Sequence, residues 1–122
     1  MSIQHSAAWS LISGFFLLAN PLSAADTVTI QSDIVYGNVG ETKLYMDIAY
    51  PSKSLAPKPC IVVIHGGAWM HGNKSMHTDD IKYFAKQGYV SVSVGYRLAP
   101  NHRFPAQVED VKCAIRYLRA NC

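Results

Sequence analysis

Apolar and polar positions alternate along residues 27–36 and again along 43–50, a period of two that predicts two β-strands. Gly37-Asn38-Val39-Gly40 lies between them and predicts the turn of a β-hairpin. In the second strand Leu44, Met46 and Ile48 face one way, and Tyr45, Asp47 and Ala49 the other. A proline-containing loop, residues 51–59, leads to Ile61-Val62-Val63-Ile64, a continuous apolar run. Periodicity alone leaves helix and strand open there. The flanking prolines, the β-branching and the Gly66-Gly67 that follows favour a strand covered on both faces, as at the centre of a parallel sheet.

The pattern then changes period. Residues 68–77 read as a loop, and a helix follows with Ile81, Phe84 and Ala85 on its buried face. Ser75 or Thr78 is the expected cap, Asp79 and Asp80 suit the first turn, and Gly88 is a natural stop. Residues 89–96 alternate again, with Val90, Val92 and Val94 opposed to Ser91 and Ser93. A loop over 97–104 ends at Pro105, which opens a last helix. Its apolar stripe is Val108, Val111, Ile115 and Leu118, with Glu109, Lys112, Arg116 and Arg119 opposite. A hairpin followed by alternating strand and helix predicts an α/β fold in which parallel strands carry flanking helices.

Composition narrows this picture. The 122 residues are 49% hydrophobic and 16% charged, which fits a globular chain and excludes disorder. The net charge of +3 comes from scattered Lys and Arg, so no nucleic-acid partner is expected. Residues 1–25 read as a secretory signal peptide: an apolar stretch over 7–19, then Asn20-Pro21, then Ser23-Ala24-Ala25 at the cleavage site. The apolar stretch is short for a bilayer, so no stable membrane span is expected after cleavage. The remaining domain is residues 26–122, and the expected location is secreted or periplasmic. Export places the three cysteines in an oxidising compartment. Cys113 and Cys122 on one helix stand about 13 Å apart along its axis, too far to bridge. All three, including Cys60 at the head of the apolar strand, read best as small apolar fillers.

The chemistry concentrates in His65-Gly66-Gly67-Ala68-Trp69, directly after the apolar strand. Two adjacent glycines leave backbone N–H groups uncovered by side chains, so a developing negative charge can come close. His65, His71 and His77 recur every six residues, but that spacing converges on neither a helix face nor a strand, so no metal is expected. Ser91-Val92-Ser93-Val94-Gly95 is the nearest approach to a nucleophile turn. Its first position is Ser rather than Gly, and Ser93 lies inside an alternating strand with no helix after it.

The His65–Trp69 segment resembles the oxyanion-hole motif of α/β-hydrolase esterases and lipases. Tyr96-Arg97-Leu98-Ala99-Pro100 with Phe104-Pro105-Ala106-Gln107-Val108-Glu109-Asp110 resembles the matching stretch of hormone-sensitive-lipase-like and feruloyl-esterase-like carboxylesterases. Lys43-Leu44-Tyr45-Met46-Asp47-Ile48-Ala49-Tyr50-Pro51 is similar to their opening strands. The resemblance runs over about residues 35–120. It implies the N-terminal part of an α/β-hydrolase sheet, incomplete. The implied activity is hydrolysis of a small-molecule carboxylic ester by a Ser-His-Asp triad, with no cofactor and no metal.

Gly66, Gly67 and Ala68 would form the oxyanion hole. Ala68 stands where many family members carry a third glycine, which is tolerable provided its backbone is not left-handed. His65 would support the loop rather than carry protons. Trp69 would line a pocket, pin the loop, or both. Arg97 and Asp110 would hold loops near the site, an exposed surface pair being the bland alternative. The triad follows the oxyanion loop in this fold and is expected beyond residue 122, leaving residues 61–64 as an apolar sheet edge, an aggregation hazard. An arylformamidase or peptidase of the same fold is an alternative, and so is a non-enzymatic truncated or binding remnant. No oligomeric state is assigned.

Overall fold

A computed structural model describes residues 27–53 and 56–121; the signal-peptide assignment and Cys122 lie outside them. Strands β1 (Val28–Val39), β2 (Thr42–Pro51), β3 (Cys60–Ile64) and β4 (Val90–Val94) form one sheet in the order β1-β2-β4-β3. The hairpin pairs and the β2–β4 pair are antiparallel, whereas β3 and β4 are parallel. Helix α1 (Thr78–Lys86) lies in the crossover between β3 and β4, and α2 (Ala106–Asn121) follows β4.

The hairpin turns later than its glycines suggest. Val39 pairs with Thr42, so the loop is Gly40-Glu41, and Gly40 takes the positive φ of 59° that a two-residue turn needs. Gly37 and Asn38 stay inside β1, opposite Leu44 and Lys43. Gly37 is glycine for another reason: a Cβ there would sit 3.0 Å from Cys113 Sγ on α2. The residue marks a close approach of helix to strand, beside a register shift between Val35 and Gly37.

Leu44, Met46 and Ile48 enter one core with Tyr36, Val92, Val94, Ala114 and Leu118, between the sheet and α2. On the other face Ala49 meets Ile81 and Ala85 of α1. Phe84 is only half-buried. Neither Ser75 nor Thr78 caps α1 with its side chain. A 3-10 turn, Lys74–His77, runs into the helix instead, and its own cap is Asn73, whose Oδ1 accepts the Ser75 N–H at 2.9 Å. Gly88 ends the segment at φ 95° as expected.

Helix α2 is rotated from the face its apolar stripe predicts. Ala106, Gln107, Asp110, Ala114 and Leu118 are buried, while Val108 is exposed and Val111 and Ile115 are half-buried. Asp110 is drawn inward by Arg97, and Gln107 donates to the His102 carbonyl at 2.7 Å. Those polar contacts override the apolar period. Cys113 is the half-buried filler expected, but Cys60 is exposed, because β3 forms the sheet edge.

Candidate active site

The segment after β3 is built around one buried histidine. His65 stacks on Tyr96, ring centroids 4.2 Å apart and 7° from parallel. Tyr96 lies two residues past β4, so the parallel pairing of β3 and β4 brings the rings together. The Tyr96 hydroxyl donates to the His65 carbonyl at 2.7 Å, and burial raises its pKa, keeping it a donor. His65 Nδ1 lies 2.8 Å from the Gly66 carbonyl oxygen, which only accepts, so Nδ1 carries the proton. The Gly67 carbonyl accepts the N–H groups of both Met70 and His71, each at 3.0 Å.

The amides of Gly66, Gly67 and Ala68 are left over, with no partner among the described residues. A Cβ at Gly66 would meet nothing within 4 Å, so space opens in front of that position. Gly67 differs. Its φ is 121°, and a Cβ there would fall 2.1 Å from the His71 carbonyl oxygen. Ala68 and Trp69 follow at φ 52° and 64°. The condition under which alanine at position 68 is comfortable is therefore not met: its backbone is left-handed, which costs a non-glycine residue about 1–2 kcal/mol.

The return path of the loop is fixed just as tightly. A Cβ at Gly72 would lie 2.6 Å from His65 Nδ1 and 2.7 Å from the Gly66 oxygen. Lys74 then anchors the segment to the sheet, with Nζ 2.8 Å from Asp47 and 2.9 Å from Asp33. Burial pulls the Lys74 ammonium down, but hydrogen bonds to Asp47 and Asp33 and their charges outweigh it, so its pKa is raised. The Lys74 carbonyl accepts the Ser93 hydroxyl at 2.6 Å.

Arg97 and Asp110 are not a surface pair. Asp110 is 1% exposed, and it receives Arg97 Nε at 2.9 Å, the terminal nitrogen at 2.8 Å and the Arg97 backbone N–H at 2.9 Å. Hydrogen bonding to Asp110 raises the Arg97 pKa further. The Tyr36 hydroxyl reaches the Gly95 carbonyl at 2.6 Å, and burial with the nearby Asp110 charge pushes its pKa well up. The loop that carries Tyr96 is thus pinned to α2 on one side and β1 on the other.

Trp69 pins the loop and also faces a hollow. Its carbonyl accepts the Ala99 N–H at 2.9 Å, and its ring tilts against Tyr96 at 5.7 Å. It also lines a hollow of about 390 Å³ with Ala68, Met70, Ala99, Phe104 and Val108. Phe104 is 82% exposed there.

Ser93 and Ser91 are buried, Ser91 donating to the Ile81 carbonyl at 2.5 Å, and neither stands at a strand-to-helix turn. The three spaced histidines do not meet: His65 is under Tyr96, His77 binds Asp80 at 2.6 Å, and His71 is exposed. Among the described residues no three metal-ligating side chains converge, and no helix is long and apolar enough to cross a membrane.

Tyr96, Gly72 and the Lys74–Asp47 pair are the supports that sequence reasoning did not single out. Tyr96 sat inside a recognised motif. Asp47 carried a signal of its own, a charge among the apolar residues of a strand with two covered faces.

A mixed sheet with a glycine loop after its parallel edge strand is the architecture of the N-terminal part of an α/β-hydrolase. The profile of the BD-FAE family matches residues 46–122. The chain belongs to this family, within the α/β-hydrolase carboxylesterases. It is 42% identical over 66 residues to Esterase LipC of Mycobacterium tuberculosis, covering 53% of this chain and 16% of that protein. Carboxylesterase NlhH of the same species is 33% identical, with 70% and 27% covered.

Esterase B from Lactobacillus rhamnosis superposes with a TM-score of 0.71 at 26% identity, covering 80% of this chain and 31% of that one. Thermogutta terrifontis esterase 2, phosphoramylated by tabun, gives 0.68 at 28% identity, covering 75% and 36%. The chain thus spans roughly a sixth to about a third of the length of these proteins.

Proposed function

We propose that this chain supplies the oxyanion-binding loop, and one wall of the substrate pocket, of a carboxylic-ester hydrolase. Its serine nucleophile lies outside the described residues. The observation that carries this reading is the set of unclaimed amides at Gly66, Gly67 and Ala68, beside open space and an apolar hollow. Attack on an ester carbonyl creates a tetrahedral oxyanion, and each donor aimed at it contributes about 2.7–4 kcal/mol to catalysis. The hollow beside Trp69 suits the apolar part of a small ester.

The test is turnover of p-nitrophenyl acetate. Purified residues 26–122 are expected to give none above buffer. A reading frame that continues past codon 122 into a Gly-x-Ser-x-Gly turn, with Asp and His later, is expected to give an active protein. Turnover by residues 26–122 that one substitution abolishes would overturn this assignment of the nucleophile. A verified stop after codon 122 would move the chain to the non-enzymatic binding reading.

Export belongs to the same proposal. The apolar stretch and the Ser23-Ala24-Ala25 site support cleavage before Asp26. Intact mass of the protein recovered from medium or periplasm should match a chain starting at Asp26. Recovery only from the cytoplasm with Met1 in place would end that reading.

A further inference from the structure

Three consecutive peptide units run from His65 to Ala68, and each has its carbonyl oxygen held by a different donor. The His65 oxygen is held by the Tyr96 hydroxyl at 2.7 Å. The Gly66 oxygen is held by His65 Nδ1 at 2.8 Å. The Gly67 oxygen is held by the Met70 and His71 amides at 3.0 Å. A trans peptide is planar, with C=O and N–H pointing opposite ways. Fixing each oxygen therefore aims the N–H across the same bond: Gly66 by Tyr96, Gly67 by His65, and Ala68 by the turn itself.

We propose that Tyr96 is a positioning residue for ester hydrolysis, its hydroxyl orienting the Gly66 amide toward the oxyanion. This rests on the ester-hydrolase reading above. The hydroxyl is well suited to the task. Tyr96 is buried, its ring is fixed by the His65 stack, and its position is set by Arg97 next to it, locked to Asp110. Accepting a hydrogen bond at the carbonyl also polarises the peptide, making its N–H a stronger donor. The division of labour is specific: loss of the Tyr96 hydroxyl should disturb Gly66, and loss of His65 Nδ1 should disturb Gly67.

The experiment is a 15N-glycine spectrum of the full chain, whose 8 glycines make individual assignment practical. Methylphosphonate serves as a tetrahedral anion probe. In the unsubstituted chain, methylphosphonate should shift the Gly66 and Gly67 amides saturably. Tyr96→Phe keeps the stack and removes only the hydroxyl. It should move the Gly66 resonance, leave Gly67 in place, and weaken methylphosphonate about threefold to tenfold, the worth of one hydrogen bond. His65→Phe should move Gly67; Gly66 is peptide-bonded to the substituted residue and shifts with it in any case, so it is read only in Tyr96→Phe. A general loosening of the loop would move Gly67 as well as Gly66 in Tyr96→Phe and overturn the proposal.

A Gly66 resonance and a methylphosphonate affinity unchanged by Tyr96→Phe would also overturn it, leaving the ester-hydrolase reading intact. Absence of any methylphosphonate response in the unsubstituted chain would overturn the ester-hydrolase reading at this loop, and the positioning role of Tyr96 with it. Should Tyr96→Phe fail to fold, the unsubstituted chain decides. Its Tyr96 hydroxyl proton should exchange slowly and couple to the His65 carbonyl carbon, and exchange at the solvent rate would refute the contact.

Discussion

Strands β3 and β4 are parallel neighbours of equal length with opposite relations between composition and burial. β3 is Cys60-Ile61-Val62-Val63-Ile64, wholly apolar, yet none of its residues is buried and Ile64 is 43% exposed. β4 is Val90-Ser91-Val92-Ser93-Val94, polar at every second position, yet all but its first residue is buried. The difference is position in the sheet, β4 lying between β2 and β3 while β3 lies at the edge. Hydrophobicity states which surroundings a strand suits; pairing decides which it has. β4 tolerates its serines because each hydroxyl reaches a carbonyl, of Ile81 or of Lys74. An unsatisfied buried hydroxyl would cost about 1–3 kcal/mol. The loops after the two strands also differ: that after β4 is held by a buried ion pair beside Tyr96, and the glycine turn after β3 by backbone geometry and one stacked pair of rings, with the Lys74 ion pairs only at its far end.

The largest effect is expected from the loop after β4. Asp110→Ala removes the one carboxylate among the described residues bonded to Arg97 and orphans the Arg97 backbone N–H. Breaking a buried pair by removing one partner costs about 3–5 kcal/mol. A fall in the urea midpoint corresponding to less than about 1 kcal/mol would mean that the guanidinium finds water and that the pair is superficial.

The loop after β3 should be broken by geometry instead. Gly67→Ala places a methyl on the His71 oxygen at a φ that side chains rarely adopt, and should cost about 3 kcal/mol. Gly66→Ala, one residue earlier, has open space and should stay within about 0.5 kcal/mol. Equal losses at the two positions, read by thermal melting, would refute this placement of the turn.

The strands themselves give the third contrast. Val92→Ala in β4 removes fully buried methyls and should cost about 2 kcal/mol, whereas Val63→Ala in half-buried β3 should cost less than about 1 kcal/mol. If Val63→Ala proves the more damaging, β3 is covered in solution, and the edge described here is already occupied by another segment or another copy.

The same contrast explains what was legible in the sequence. Strand positions, the α1 face at Ile81 and Ala85, and the glycine loop followed from period and motif, because apolar periodicity and glycine pairs are local signals. The features that escaped are set by distant partners. Gly37 resembles a turn residue and is glycine because Cys113 approaches from α2. The buried face of α2 turns toward Arg97, far from Asp110 in sequence but adjacent in space. Gly72 is needed because its φ is 95° and His65 and the Gly66 oxygen fold back over it, and Tyr96 matters because parallel pairing brings it against His65. Within the candidate site His65, Gly66, Gly67 and Ala68 were readable as a group; the atoms that aim their amides were not.

Ala68 offers a small effect of the opposite sign and the sharpest reading of the loop after β3. Its methyl sits on a left-handed backbone at φ 52°, between Gly67 at 121° and Trp69 at 64°. Relief of that strain by Ala68→Gly contributes about 1–2 kcal/mol, and the added freedom of glycine in the unfolded chain takes back about 0.5–1 kcal/mol. The net expectation is a stabilisation of up to about 1.5 kcal/mol, the opposite sign from Gly67→Ala next door. Chemical denaturation of the two variants beside the unsubstituted chain checks the pair of signs. A destabilised Ala68→Gly would mean that the methyl makes contacts in the apolar hollow worth more than the strain, and that the hollow is filled rather than open.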